Sequence, residues 1–101
     1  MKSIAILTGF GLIIPGIFIA SQADSVYKNV KEGNRKYKEQ QYSEALNKYT
    51  NADLDAPENP IVKFNLGSAL YKQEKYEKAI ETNQTALAKT QDKLFKSKFH
   101  Y

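Results

Sequence analysis

The stretches GNRKYKEQQYSEALNKYTNADLDAP at 33–57 and NLGSALYKQEKYEKAIETNQTAL at 65–87 follow one pattern, offset by 34 residues, as from Gly33 to Gly67. Self-similarity at such a period is typical of repeat architectures, in which neighbouring units bury one another's apolar faces. The sequence therefore predicts a tandem repeat. The pairs in register are Gly33 and Gly67, Tyr37 and Tyr71, Lys38 and Lys72, Tyr42 and Tyr76, Ala45 and Ala79, and Ala52 and Ala86.

The apolar residues of both units lie at helical spacings. Between residues 76 and 87 they recur at intervals of three, four and seven, and charged residues occupy positions between them. This periodicity is typical of an amphipathic α-helix, and residues 61–71 follow it as well. Pro57 cannot continue a helix, whereas Pro60 suits the first turn of one. We therefore expect the second helix of the first unit to end near Asp55.

Small residues recur where paired helices would meet. A glycine or alanine lets two helix backbones approach closely, whereas a leucine would overpack such a contact. A tyrosine follows each predicted first helix, and we expect it to fill the turn between the paired helices. The small residues are Gly33, Ala45, Gly67 and Ala79, and the turn tyrosines are Tyr42 and Tyr76.

The two units resemble the tetratricopeptide repeat (TPR) family, whose helix-turn-helix repeats are about 34 residues long. The resemblance covers residues 26–93. It implies an all-α fold, an antiparallel helix-turn-helix TPR solenoid with two full repeats at about 26–59 and 60–93. A C-terminal helix stub at 94–101 would be a partial third repeat. Three positions depart from the family pattern: Lys36 replaces a medium apolar residue, Asn83 replaces an aromatic one, and Gln91 replaces the inter-repeat proline.

The first 23 residues differ in composition from the remainder. Lys2 precedes an uncharged run at 4–20, and Ser-Gln-Ala at 21–23 fits a signal-peptidase site. We expect residues 1–23 to be a signal peptide and the protein to be exported to the periplasm, which leaves a TPR domain at 24–101. An uncleaved inner-membrane anchor is the alternative, because the uncharged run approaches the length of a spanning helix.

The composition gives little support for catalysis or nucleic-acid binding. The chain has no cysteine and a single histidine, His100, and it lacks a glycine-rich phosphate loop and a spaced set of metal ligands. The formal net charge is a modest +4. Lysines concentrate towards the C-terminal end without an aromatic-interleaved binding motif, so we interpret them as a solvated helix face. We expect no enzymatic activity, no metal, no cofactor and no nucleic-acid partner.

The resemblance places the first helix of each repeat along a concave groove that suits an extended or helical peptide. Asparagine amides hold a peptide backbone, tyrosines offer flat contact area and lysines meet carboxylates. An ordinary surface or inter-repeat contact is the alternative role for each residue. The candidate partner-binding residues are Tyr27, Val30, Asn34, Tyr37 and Lys38 in the first repeat, and Ile61, Phe64, Asn65, Ser68, Tyr71 and Lys72 in the second.

These features indicate a non-catalytic adaptor or scaffold that binds a protein or peptide partner. The leader, with VKEGNRKYK at 30–38 and FNLGSALYK at 64–72, is similar to periplasmic TPR proteins of bacterial aerotolerance (Bat) clusters. That similarity implies a membrane-bound von Willebrand A-domain protein as the partner. The alternatives are a structural component that is anchored in the membrane by its N-terminal segment and meets lipid with its lysine-rich end, and a truncated fragment of a longer TPR protein.

Overall fold

The computed structural model describes residues 23–99, except for the side chains of Phe95 and residues 97–99. Within this range the chain forms four helices and no strand. No helix there is sufficiently long and apolar to cross a membrane. The predicted leader lies outside the described residues apart from its last position, as do residues 100–101 of the predicted third repeat. Helix α1 includes residues 23–38, α2 spans Tyr42–Asp55, α3 Pro60–Lys72 and α4 Tyr76–Phe99.

The helices form two antiparallel pairs in series. Short turns join α1 to α2 and α3 to α4, while α3 packs against both α2 and α4. A helix pair cannot bury its apolar face alone, and stacking the second pair on the first joins the two faces into one core. The predicted all-α helix-turn-helix solenoid is confirmed.

The connection between the two pairs follows from two prolines and an asparagine. Helix α2 ends at Asp55, as Pro57 predicts, and α3 begins at Pro60. The Oδ1 atom of Asn59 accepts hydrogen bonds from the backbone N–H groups of Ile61 at 2.9 Å and Val62 at 3.4 Å. Asparagine is a strong helix N-cap. Proline suits the first helical position because it has no backbone N–H, and an N–H there would have no partner within the helix.

Both turns within the pairs contain a residue in the left-handed region. Gln40 has a φ angle of 62° and Glu74, its equivalent in the second pair, has one of 63°. Just after Gln40, the backbone N–H of Gln41 donates to the carbonyl of Lys36 at 2.9 Å, which closes the end of α1 in a Schellman motif. Glycine is favoured at such a position because the Cβ atom of other residues crowds the backbone.

Gln40→Gly is expected to stabilise the chain by about 0.5–1 kcal/mol, because it relieves this crowding in the left-handed conformation. Thermal melting of the full chain measures the effect. Gln40→Ala is the matched control, since it keeps the Cβ atom and should not raise the melting temperature. Equal melting temperatures for the glycine and alanine variants would contradict the assigned turn.

The core is built mainly from small side chains. Ala45, Tyr49 and Ala69 form a buried cluster, and Tyr37, Leu46 and Leu66 pack against it. A Cβ atom on Gly33 would lie 2.6 Å from Cε1 of Tyr49, so α1 and α2 touch there. The small residues at helix contacts therefore have the role that the sequence predicts. Tyr42 and Tyr76 pack edge-to-face on Tyr37 and Tyr71 across the turns, with ring centroids 5.2 and 5.3 Å apart.

One departure from the family pattern is compensated by local contacts, and a second is not. The ammonium group of Lys36 lies 2.7 Å from the carboxylate of Glu44 and donates to Gln41 at 3.0 Å. A lysine therefore replaces an apolar contact by an ion pair between α1 and α2. Asn83 lies against Gly67 just as Tyr49 lies against Gly33, and its Oδ1 atom is buried without a hydrogen-bond partner.

Helix α4 continues where the sequence predicts the start of a third repeat. It runs unbroken from Tyr76 to Phe99, so no turn separates residue 93 from residue 94. Gln91 takes the place of the proline that would end the helix, and the residues around it have helix propensities that are compatible with its continuation. An ion pair of 3.3 Å between Asp92 and Lys96, one turn apart, adds local support. Residues 94–99 therefore continue α4 in this structure.

Candidate functional site

A concave pocket of about 370 Å³ lies between the exposed faces of α1 and α3. Helix α1 contributes residues of the first repeat and α3 contributes those of the second, so the pocket forms only when the two helix pairs stack. Five of its six lining residues are among the candidate partner-binding residues, and Tyr49 of α2 is the sixth. The lining residues are Asn34, Tyr37, Lys38, Tyr49, Asn65 and Ser68.

Tyr49 connects the core to this pocket. Its side chain is 3% exposed, and its hydroxyl donates a hydrogen bond of 2.6 Å to Oδ1 of Asn34. Burial raises the pKa of Tyr49, and the nearby Tyr37 raises it further, so the hydroxyl remains a donor at neutral pH. Because the bond engages the Asn34 oxygen, the amide nitrogen is the group that Asn34 can best offer to a peptide carbonyl.

Tyr37 of α1 and Tyr71 of α3 each pack against a neighbouring ring. Tyr37 meets Tyr42 at an interplanar angle of 73°, and Tyr71 meets Tyr76 at 65°. Edge-to-face contact is a favourable arrangement for two aromatic rings. The ammonium group of Lys72 lies 5.7 Å from the centre of the Tyr42 ring, within cation–π range. Tyr37 therefore lines the pocket with its ring packed against Tyr42, while Lys72 contacts an aromatic residue of the first repeat.

The other candidate residues lie outside the pocket lining. They are large side chains exposed along the first helix of each pair, except for Val30, which is half-buried, and Lys72, which contacts Tyr42. Four of these side chains are exposed on the surfaces of α1 and α3. They are Tyr27 on α1 and Ile61, Phe64 and Tyr71 on α3.

Lys38 is the charged residue among those that line the pocket. Several other charged residues of the first pair form ion pairs with each other. A hydrogen bond from Lys48, together with its charge, lowers the pKa of Glu32, and Lys36 lowers the pKa of Glu44 in the same way. These carboxylates therefore remain ionised beside their lysines. The pocket combines one cation with amide and hydroxyl groups, a set that suits a carboxylate and a peptide backbone.

A larger hollow of about 750 Å³ lies between the α2–α3 connection and α4. An ion pair of 2.6 Å between Glu58 and Lys89 crosses it, and Asp92 and Lys96 form a second pair on its wall. Because its charges are largely matched, it is the weaker candidate despite its size. Among the described residues, no group of three or more histidines, cysteines, aspartates or glutamates could hold a metal ion.

Tyr49 is the site residue that sequence reasoning missed. The repeat register contained a signal for it, because Tyr49 occupies the position of an aromatic residue that Asn83 replaces in the second repeat. Only the packed structure shows that this aromatic residue reaches the pocket.

One comparison with known proteins agrees with this architecture. A family model described as tetratricopeptide repeat matches residues 36–97, from the end of α1 almost to the end of α4. This match covers more than half of the 101-residue chain. Searches of curated proteins and of solved structures found no significant match.

Proposed function

Because the chain belongs to the tetratricopeptide repeat family, we propose that it is an adaptor that binds a peptide segment of a partner protein between α1 and α3. Members of this family typically act as protein-interaction modules without catalytic activity, and their usual ligands are proteins or peptides. The specific proposal is that the ligand segment carries a carboxylate, which lies beside Lys38.

The pocket between the two repeats is the observation that carries this proposal. It brings Lys38 of α1 together with Asn65 and Ser68 of α3, so residues of both repeats line one pocket. A peptide that lies across both helices could pair its carboxylate with Lys38 and its backbone with Asn34 and Asn65. The exposed aromatic residues along the groove would add contact area of the kind that dominates protein interfaces.

Export and the Bat-type role extend the proposal beyond the pocket. The uncharged run and the Ser-Gln-Ala site near the N-terminus support a periplasmic protein, and the segments at 30–38 and 64–72 support the similarity to Bat-cluster TPR proteins. A membrane-bound von Willebrand A-domain protein would then be the partner. The intact mass of the cellular protein tests export, because loss of residues 1–23 supports a cleaved leader whereas retention favours the membrane anchor.

Reversal of the Lys38 charge tests the ligand chemistry. Dodecapeptides selected from a random phage library on the full chain should be rich in aspartate and glutamate. Lys38→Glu should weaken their binding about tenfold or more, since it replaces an attractive charge contact by a repulsive one. Titration by fluorescence anisotropy measures this change.

Lys31→Glu is the matched control for that titration. Lys31 is an exposed lysine of the same helix that does not line the pocket. Equal losses for the Lys31 and Lys38 variants would indicate a general charge effect and contradict the assigned site. Asn34 is less suitable for this test, because its bond to Tyr49 also supports the core.

A further inference from the structure

Helix α4 carries an exposed apolar stripe that the groove does not use. Ile80, Leu87 and Leu94 are 58%, 52% and 62% exposed, and they follow one another at intervals of seven residues. That spacing places all three on one face of the helix. Gln84 and Gln91 lie between them on the same face. We call these five residues the α4 stripe.

The α2 equivalents of two stripe residues are covered by contacts with α3, which shows what the α4 stripe lacks. Leu46, the equivalent of Ile80, is partly buried against the core cluster that includes Ala69 of α3. Asp53, the equivalent of Leu87, forms an ion pair of 2.9 Å with Lys63 of α3, and both side chains are less than 20% exposed. The position of the α4 stripe is therefore one where this architecture places another helix.

Helix α1 of a second copy is poorly suited to cover the α4 stripe in the way that α3 covers α2. On α3, Leu66 and Ala69 pack against the core cluster of α2. The equivalent residues on α1 are Glu32 and Arg35, which form ion pairs of 3.1 Å with Lys48 and Glu39. Their burial against apolar side chains would break those pairs and desolvate charges. Head-to-tail stacking of copies is therefore disfavoured.

The α4 stripe is instead complementary to itself. Its residues are arranged almost symmetrically about Leu87, with one large aliphatic residue seven positions away on each side and one glutamine on each side. We propose that two copies of this chain pair through antiparallel α4 helices, related by a two-fold axis near Leu87. Ile80 then contacts Leu94 of the second copy, and Gln84 lies near its Gln91, where amides can both donate and accept.

The charge distribution along α4 favours this antiparallel arrangement. The beginning of the helix carries Glu77 and Glu81 with Lys78, whereas its last turns carry Lys93 and Lys96 in addition to the paired Asp92. Antiparallel pairing brings the more acidic end of one helix beside the more basic end of the other. It also opposes the two helix dipoles, whereas parallel pairing would align like charges and like dipole ends.

Dimerisation through α4 leaves the groove free. The pocket is lined by α1, α2 and α3, and none of its residues belongs to α4. Each dimer would present two pockets, so that a partner with two binding segments, or two linked partners, would be held with greater avidity than by one pocket.

Single-cysteine cross-linking tests the proposal, because the chain has no cysteine of its own. In the full chain, Leu87→Cys should form a disulfide-linked dimer under mild oxidation, since the two sulfur atoms meet near the axis. Ile80→Cys and Leu94→Cys should link poorly alone but well when the two variants are mixed. Leu54→Cys, 74% exposed on α2, is the background control. Efficient linkage of Ile80→Cys to itself would overturn the antiparallel arrangement.

Sedimentation equilibrium with the full chain gives an independent measure. Leu87→Glu should raise the dimer dissociation constant about tenfold or more, because it places a charge in an apolar contact. Leu54→Glu should leave that constant unchanged, and circular dichroism should show equal helicity for both variants. A monomeric wild type, or association that Leu87→Glu does not weaken, would overturn the proposal. Such a result would instead favour a helix of another protein as the partner of the α4 stripe.

Discussion

Replacement of Tyr49 by alanine is expected to lower the free energy of unfolding by about 3–5 kcal/mol, the range for truncation of a large buried side chain. Tyr49 is 3% exposed and reaches three helices, because it lies on α2, fills the space beside Gly33 of α1 and packs with Ala69 of α3. The free energy of unfolding of a small domain is only a few kcal/mol, so this variant should be largely unfolded near room temperature. Urea denaturation followed by circular dichroism measures the loss.

Two further tyrosine variants serve as comparisons for Tyr49→Ala. Tyr49→Phe keeps the packing but loses the hydrogen bond to Asn34, which should lower the free energy of unfolding by about 1 kcal/mol. Tyr27→Ala, at a side chain that is 70% exposed, should change it little. If Tyr49→Ala unfolds at the same urea concentration as Tyr27→Ala, the central place of Tyr49 in the core is wrong.

Replacement of Ala79 by leucine is expected to lower the free energy of unfolding by about 1–3 kcal/mol through overpacking. Ala79 is 2% exposed on α4, in register with the equally buried Ala45 of α2. The larger side chain would force apart helices that approach closely at this point. Ala88→Leu is the control, because Ala88 is exposed on the same helix. A thermal melt that is the same for wild type and Ala79→Leu would contradict the packing register.

The repeat period predicted most of the fold because it constrains several elements at once. Residues that recur at 34-residue intervals must occupy equivalent places in two similar units, so one helical pattern defines both pairs. Pro57 and Pro60 then predicted the connection between the pairs, since proline restricts the backbone by itself. The lining of the pocket between α1 and α3 was partly predictable for the same reason, because the first helix of each unit presents equivalent positions to one side.

Other features depend on contacts that no local pattern contains. Gln40 and Glu74 adopt left-handed conformations without being glycine, because the Schellman bonds and the following helix hold the turn. Lys36 is tolerated at an apolar position because Glu44 is close in space. The pattern of apolar residues suggested a new helix beginning at Leu94. Helix α4 instead continues past residue 93, because no proline or turn interrupts it.

The sequence by itself determined the helical repeats, their small contact residues and the ends of α2 and α3, since these follow from periodicity, side-chain size and proline geometry. The tertiary structure alone decided how the helices of the two repeats pack against one another. It brought Asn34 and Lys38 of α1 beside Asn65 of α3, placed Tyr49 beneath them, and left Ile80 exposed where Leu46 is covered. These outcomes depend on which helix lies next to which, and residues distant along the chain decide that together.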